Sequence, residues 1–495
     1  MISPAEARRA ARNAGALAAA SILSKGVLFG WYIVLARALG EADYGVYGTV
    51  SSFIAVGTAV VNFGMGPIVI RDVARAPALA GKYLTATLFM QTGFALLAYL
   101  LVNSAAALTG YPPAIQTFLA VGALSLMIDI LGNMTNDLLL AQERMLASSA
   151  LAVAHIFVLI ALAGAALAGG YGLMGVYVAT LIAGGLRSAA LWVLVLRGGV
   201  RPAWPFDRAV ARALLFNGAP LAASAFLALA YQHADKLMTT RLLDTTQTGY
   251  LTAAFVIVFG VVELLSTTIL TATYPMMSRY HGQGATFGFI VEKLAFFTLA
   301  VSLPLALVLS IFAPQIIVPL FGAGYGPTAD VLRVLMWYAA AAMVANIFAQ
   351  GMVVQNRQRG LLAIRASGLS ANIVMNALLI VPLGAVGAAL ASLAAEVLVL
   401  AALSWRFRAE GWVWRRVLVG WGKLALVAVV TALVMLALGT LHPVAGIVGG
   451  LALYAAGMLR ALAPDDWDLL YRLVAAMPGG GLALRYWKRD TAVNW

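Results

Sequence analysis

Long apolar runs dominate the chain, and within them apolar and polar residues do not alternate. A helix needs about 20 apolar residues to cross a bilayer, whereas a strand of a membrane barrel alternates over about ten. The pattern therefore predicts helices at 14–36, 46–66, 83–107, 114–140, 147–168, 172–196, 213–238, 250–276, 292–313, 329–354, 361–381, 384–405, 418–439 and 443–460. The segments between them are short and rich in turn residues: TGYPP at 109–113, PLG at 382–384 and GTLHP at 439–443. The expectation is an all-α polytopic membrane protein with about fourteen transmembrane helices. The basic stretch before the first run, with Arg8, Arg9 and Arg12, could open a signal peptide. That apolar run is too long for one and has a partner later in the chain, so it is read as the first span.

The partner belongs to an internal repeat. RNAGALAA at 12–19 matches FNGAPLAA at 216–223 at an offset of 204 residues. The same offset aligns ARALGEADYGVYG at 36–48 with TRLLDTTQTGYLT at 240–252 and pairs Arg75 with Arg279. An offset of 213 pairs Asn133 with Asn346, Gln142 with Gln355 and Arg144 with Arg357; an offset of 212 pairs Gly172 with Gly384. The first six spans thus repeat as the next six. Six is even, so the copies stand the same way up, related by a pseudo-twofold along the membrane normal. The predicted organisation is an N-terminal lobe at 1–196, a linker at 197–212, a second lobe at 213–405 and two additional helices at 418–460. A tail follows at 461–495, with an amphipathic interfacial helix at 464–481.

Composition agrees: 63% of the 495 residues are hydrophobic and 10% are charged, against roughly 25% charged in a soluble protein. The net charge of +13 could suggest nucleic acid. With both termini in the cytoplasm, however, all but six of the 32 basic residues fall on cytoplasmic segments, so the charge reports topology. The six are Lys25, Arg37, Arg187, Lys236, Arg241 and Arg333. The absence of cysteine excludes a disulfide scaffold and any thiolate metal site. No catalytic constellation, phosphate-cradling glycine loop or metal-ligand spacing is present, so neither an enzyme nor a cofactor is expected.

Polar groups at membrane depth are costly and each needs a reason. Ser125, Asp129, Asn133 and Asn136 form one stripe along the fourth span, read either as cavity lining or as helix–helix hydrogen bonding. Asn346 is the repeat partner of Asn133. His233, Asp235, Lys236 and Arg241 cluster at the end of the seventh span, as cavity groups or as an ion-pair cluster near the outer interface. Lys25 and Arg187, with Lys236, Arg241 and Arg37 nearer the outer face, are the cations that an anion such as pyrophosphate would need, unless acids neutralise them. Glu263 and Glu396, with Asp235 and His233, are candidates for ion or proton coupling. His155 reads as a packed histidine.

LARALGEADYGVYG at 35–48, IRDVAR at 70–75, the Asp235–Lys236 pair, GYLTAA at 249–254, YPMMSRY at 274–280 and LFGAGYGPTADVLRVL at 320–335 occur in an order that resembles the polysaccharide transporter family. That family, of Wzx-type O-antigen and exopolysaccharide flippases, belongs to the multidrug/oligosaccharidyl-lipid/polysaccharide exporter superfamily. The resemblance implies two six-helix lobes around a cavity and alternating access. It implies movement of an undecaprenyl-pyrophosphate-linked oligosaccharide from the cytoplasmic to the outer leaflet of a bacterial inner membrane. It also implies work alongside a polysaccharide polymerase and chain-length machinery. Two other readings are a drug or metabolite antiporter of the multidrug-extrusion branch and a membrane-embedded polymerase or glycosyltransferase. Such enzymes usually carry a large outer loop, and every outer loop here is short.

Overall fold

The computed structural model describes residues 4–407, 414–462 and 467. Among them the regular structure is helical, with no strand. In chain order the helices are α1 (Pro4–Asn62), α2 (Met65–Arg75), α3 (Ala80–Leu108), α4 (Pro113–Gly122), α5 (Ser125–Ala141), α6 (Met145–Ala168), α7 (Gly172–Arg197) and α8 (Arg208–Leu242). There follow α9 (Thr245–Arg279), α10 (Ala285–Ile311), α11 (Ala313–Phe321), α12 (Thr328–Val354), α13 (Gln358–Arg406), α14 (Trp414–Gly439) and α15 (Pro443–Ala461). Eleven helical segments among the described residues are long and apolar enough to cross a membrane.

Two of these segments are each a pair of predicted spans. In α1 the backbone breaks at Gly40 (φ 75°, ψ 173°), and in α13 at Gly384 (φ 64°, ψ −147°). Only glycine adopts such angles without strain. A break also frees backbone groups, which need partners. At Gly384 the Ala385 N–H donates to Gln247 Oε1 at 2.9 Å. The predicted fourth span is one apolar segment built from two helices, α4 and α5. The predicted tail helix at 464–481 lies, apart from Trp467, outside the described residues.

The chain forms two compact units. Unit 1 takes in the chain up to Val256 together with Phe321–Tyr325 and Asn372–Ala388. Its core is a continuous apolar cluster that includes Val50, Met65, Leu84, Leu119, Leu126 and Leu191. Unit 2 takes in Ile257–Leu320, Gly326–Ala371 and the described residues from Ala389. There α14 and α15 pack on α10 through Phe296, Leu307, Phe312, Leu424 and Met435, and Tyr454 donates to the Ala300 carbonyl at 2.8 Å. The far sides of α14 and α15 carry exposed Leu426, Leu433 and Val448, as a lipid-facing surface would.

At one end of unit 1 the 198–207 segment lies on the start of α3. Ala203 N–H donates to the Gly81 carbonyl at 3.2 Å, Thr85 Oγ1 donates to the Ala203 carbonyl at 2.9 Å, and Lys82 Nζ pairs with Asp207 Oδ2 at 3.0 Å. Phe89 meets Trp204 and Phe206 edge-on. The other end, where α1 breaks at Gly40, carries the polar chemistry described next.

Candidate functional site

Beyond Gly40, the second half of α1 crosses the first turns of α9 with almost no side chain between them. A Cβ at Gly45 would lie 1.7 Å from the carbonyl oxygen of Thr245, and one at Gly249 would lie 1.9 Å from that of Glu41. These contacts are reciprocal: Gly249 follows Gly45, and Thr245 follows Glu41, by the same 204 residues as the sequence repeat. A third contact pairs repeat-related positions with each other, since a Cβ at Gly48 would lie 2.2 Å from Thr252 Oγ1. Reciprocal contacts around a self-pair are what a twofold axis produces. Small residues permit this approach, as they do generally between membrane helices.

The end is closed by further bonds within unit 1. The Tyr325 hydroxyl donates to the Ala36 carbonyl at 2.9 Å. Thr49 and Thr240 hydroxyls meet at 2.5 Å, and Thr240 meets Thr248 at 2.7 Å. Tyr111, between α3 and α4, donates to the Leu237 carbonyl at 2.8 Å; burial pushes its phenol up to about 12.

Deeper in α8, the predicted cluster at 233–241 separates into three roles. Asp235 is 2% exposed, and its Oδ1 accepts from Asn372 Nδ2 at 2.9 Å and Asn376 Nδ2 at 2.6 Å. Asn376 also donates to Asn372 Oδ1 at 3.0 Å, while its own carbonyl oxygen has no partner among the described residues. Lys236 lies over the Phe255 ring at 5.3 Å, and His233 Nδ1 is 3.0 Å from Ser52 Oγ. Arg241 bonds the Thr109 carbonyl, the C-cap of α3, where a helix terminus favours a cation. Asn372 and Asn376 were missed from sequence. Their signal was two amides four residues apart, hence on one face, in an apolar run.

The fourth-span stripe also divides. Asn136 Oδ1 accepts from Ser148 Oγ at 2.6 Å, a bond between helices α5 and α6. Asp129 and Arg187 are both half-buried, on the contacting helices α5 and α7. Glycines make this possible: a Cβ at Gly184 would lie 3.7 Å from Asp129 Oδ1, and one at Gly132 would lie 3.6 Å from Arg187 Nη1. Asn133 lies half-buried on the same stripe. Asp137, one turn further on and missed from sequence, lies against α2, where a Cβ at Gly66 would be 2.7 Å from its Oδ2. His155 Nδ1 is 3.2 Å from the Ala183 carbonyl, as a packed histidine would be. Lys25 is half-buried in α1 and Arg37 is exposed beside the Gly40 break.

In unit 2, Arg365 joins two predicted residues: Nη1 lies 3.4 Å from Glu396 Oε1, and Nη2 donates to Asn346 Oδ1 at 3.1 Å. Glu396 is 1% exposed. Topology counts Arg365 among the cytoplasmic segments, but it lies about two turns inside α13 and serves a buried carboxylate. The side chain of Glu263 lies outside the described residues.

A family profile described as polysaccharide biosynthesis protein matches residues 34–330. The comparison with curated proteins found no match. Among solved structures, the fold is similar to a lipid II flippase, MurJ, in an inward closed conformation: TM-score 0.71 and 14% identity, over 89% of this chain and 97% of that one. It is similar to an inward-facing multidrug resistance transporter of the same exporter superfamily (TM-score 0.59, 14% identity, 79% and 95% covered). A superfamily transporter from Pyrococcus furiosus also matches (TM-score 0.55, 16% identity, 80% and 96% covered). These identities carry the fold, and the profile, spanning more than half of the chain, carries the family. The chain is a membrane protein that belongs to the polysaccharide biosynthesis protein family, with a fold similar to that of a lipid II flippase and of multidrug transporters.

Proposed function

We propose that this protein flips an undecaprenyl-pyrophosphate-linked oligosaccharide from the cytoplasmic to the outer leaflet of a bacterial inner membrane, for surface polysaccharide synthesis. Both termini are cytoplasmic in this reading, and the Gly40 end faces outward. Residues 1–196 and 213–405 are the two lobes, 197–212 links them, 418–460 adds two helices and 461–495 is the tail.

The observation that carries the reading is the reciprocal Gly45–Thr245 and Gly249–Glu41 crossing in a chain of this family. An end closed by repeat-related helices around a twofold can open by separating them, which is the geometry of alternating access. Lys25 and Arg187 hold the pyrophosphate: the arginine through paired hydrogen bonds, the lysine as a point charge. Arg241, bound to the end of α3, holds the closed end together instead. Asp235 is the coupling residue: it is a buried carboxylate held by the amides of Asn372 and Asn376, and ionisable groups within membrane helices commonly serve ion or proton relays. The polymerase and chain-length proteins then act on the delivered cargo.

The test is a lipid analysis of a strain lacking the protein. Accumulation of saccharide-linked undecaprenyl pyrophosphate on the cytoplasmic side, with loss of surface polysaccharide, supports the proposal. Sensitivity to toxic compounds without such accumulation replaces it with an antiporter. Lys25→Ala and Arg187→Ala should each lower flipping about tenfold at normal protein levels; unchanged surface polysaccharide in both removes the pyrophosphate grip.

A further inference from the structure

The end of unit 1 opposite the glycine crossing carries more positive charge than its own acids neutralise. The Tyr83 hydroxyl donates to Asp72 Oδ2 at 2.8 Å, which ties the last turns of α2 to the start of α3. The Arg201 carbonyl oxygen lies 2.5 Å from where a Cβ of Gly81 would be. With the Lys82–Asp207 pair, these contacts gather Arg75, Arg201 and Arg208 around the start of α3, and all three are exposed. The two carboxylates there are already engaged. Asp72 accepts from Arg71 Nε at 2.7 Å as well as from Tyr83, and Asp207 accepts from Lys82 and from the N–H groups of Ala209 and Val210. Arg75, Arg201 and Arg208 make no hydrogen bond or ion pair among the described residues.

The level of these cations in the bilayer follows from α3. Phe89, Leu96 and Leu100, spaced by seven and four residues, are exposed along one side of that helix, as a lipid-facing stripe is. Trp204 is 70% exposed and meets Phe89 edge-on at 5.6 Å, so its ring ends the stripe on the side of the α3 start. Tryptophan in such a place sits at the boundary between hydrocarbon and headgroups. Lys82 precedes Phe89 by seven residues, about 10 Å of helix, which puts it and the neighbouring arginines at the level of lipid phosphates. A soluble anion would need only the cations. An apolar stripe that ends in a tryptophan, with unpaired guanidinium groups just beyond, matches a molecule apolar at one end and anionic at the other.

We propose that this corner is a binding site for an anionic phospholipid. An acyl chain runs along Phe89, Leu96 and Leu100, Trp204 lies at the level of the glycerol, and the phosphate and headgroup take Arg75, Arg201 and Arg208. Arginine suits this because it grips phosphate through paired hydrogen bonds. Arg201 and Trp204 belong to the 198–207 segment, whereas Phe89 is on α3 and Arg75 on α2. One bound lipid therefore ties that segment down on both helices. The site is independent of the cargo that the protein carries.

The test places the full-length protein in nanodiscs of phosphatidylcholine, with and without phosphatidylglycerol. It reads hydrogen exchange at Ala203, whose N–H donates to the Gly81 carbonyl at 3.2 Å. Phosphatidylglycerol should slow that exchange about fivefold or more, since a single basic group at an anionic membrane surface is worth that much. Added salt should erase the difference. A triple variant, Arg75→Gln with Arg201→Gln and Arg208→Gln, should exchange alike in both membranes and melt as the wild type does in phosphatidylcholine. The matching triple Arg→Lys variant should keep part of the protection, because charge remains while the paired hydrogen bonds are lost. Equal exchange of the wild type in both membranes overturns the site, and so does undiminished protection of the glutamine variant. Inorganic phosphate added to phosphatidylcholine discs should have no effect; protection by it would assign the arginines to a soluble anion and overturn the lipid. If the glutamine variant misfolds, the lysine variant decides: equal exchange in both membranes would again sink the proposal.

Discussion

At the Gly40 end of unit 1, helices meet backbone to backbone: Gly45 on Thr245 and Gly249 on Glu41, sealed by hydroxyl pairs and buried tyrosines. At the other end, the 198–207 segment is tied to α3 by a solvent-exposed Lys82–Asp207 pair, two backbone-directed bonds and edge-on aromatics around exposed Trp204. The first kind of contact is dry and has two outcomes, closed or apart, because there is no intermediate separation at which a glycine crossing still packs. The second is wet and yields gradually, since exposed ion pairs contribute little and are screened. One end suits a gate, the other a strap.

The largest effect should come from fixing the gate. The chain has no cysteine, so Thr49→Cys with Thr240→Cys gives one possible disulfide, between positions whose hydroxyls are 2.5 Å apart. Oxidation should stop export and reductant restore it, measured as surface polysaccharide. Export that continues with the bridge formed would mean that this end does not open.

Next in size is Asp235, behind the gate. Asp235→Asn keeps the shape and the acceptor oxygen but removes the charge, so export should fall at least about tenfold with little change in melting. Glu396 in unit 2 is the comparison, since the Arg365 guanidinium lies 3.4 Å from its carboxylate. Glu396→Gln leaves Arg365 without its carboxylate and should lower stability by about 1 kcal/mol, discounted because Arg365 is 27% exposed, with export largely kept. The opposite pattern would make Glu396 the coupling residue.

Gly45→Ala adds one methyl where the nearest backbone oxygen leaves no room. It should destabilise the closed end by about 1–3 kcal/mol, read as a lower melting temperature and faster labelling of a cysteine at position 44. Ala substitution at Gly199, where a Cβ meets nothing but φ is +83°, is strained by the backbone alone and should not change that labelling.

The gate was partly legible in the sequence. The 204-residue offset aligned the segments that later proved to touch, and glycines marked both helix breaks. What the offset could not give was that the repeats touch each other at those residues, because similarity carries no distance. Asn372 and Asn376 were missed because amides in apolar runs often bond between helices without functional consequence. Arg365 was assigned by its neighbours in the chain, Arg357 and Arg359, although its long side chain turns inward to Glu396. The stripe at Asp129, Asn133 and Asn136 was visible as a stripe, yet Asn136 turned out to serve α6. Periodicity finds a shared face and not what that face meets.

The strap should give the smallest effect, and its sign is set by Asp207. This carboxyl is held below the usual carboxylate range first by its hydrogen bond from Lys82, and then by the N–H groups of Val210 and Ala209 at the start of α8. A carboxylate whose folded pKa is depressed contributes stability that is present above its unfolded value of about 3.9 and is lost as pH falls through the folded one. Docking of the 198–207 segment should therefore be constant from neutral pH to about pH 4 and loosen below it, read as hydrogen exchange at Ala203 and Val210. Because Lys82 is exposed and Asp207 half-exposed, raised salt should weaken the Lys82 contribution at neutral pH, while the two N–H bonds to the carboxylate persist. Asp207→Asn removes the pH step but keeps an acceptor for the helix N-terminus. Exchange at Ala203 should then be independent of pH, and Thr49–Thr240 disulfide formation unchanged; a strap variant that altered gate closure would show that the two ends of unit 1 are coupled.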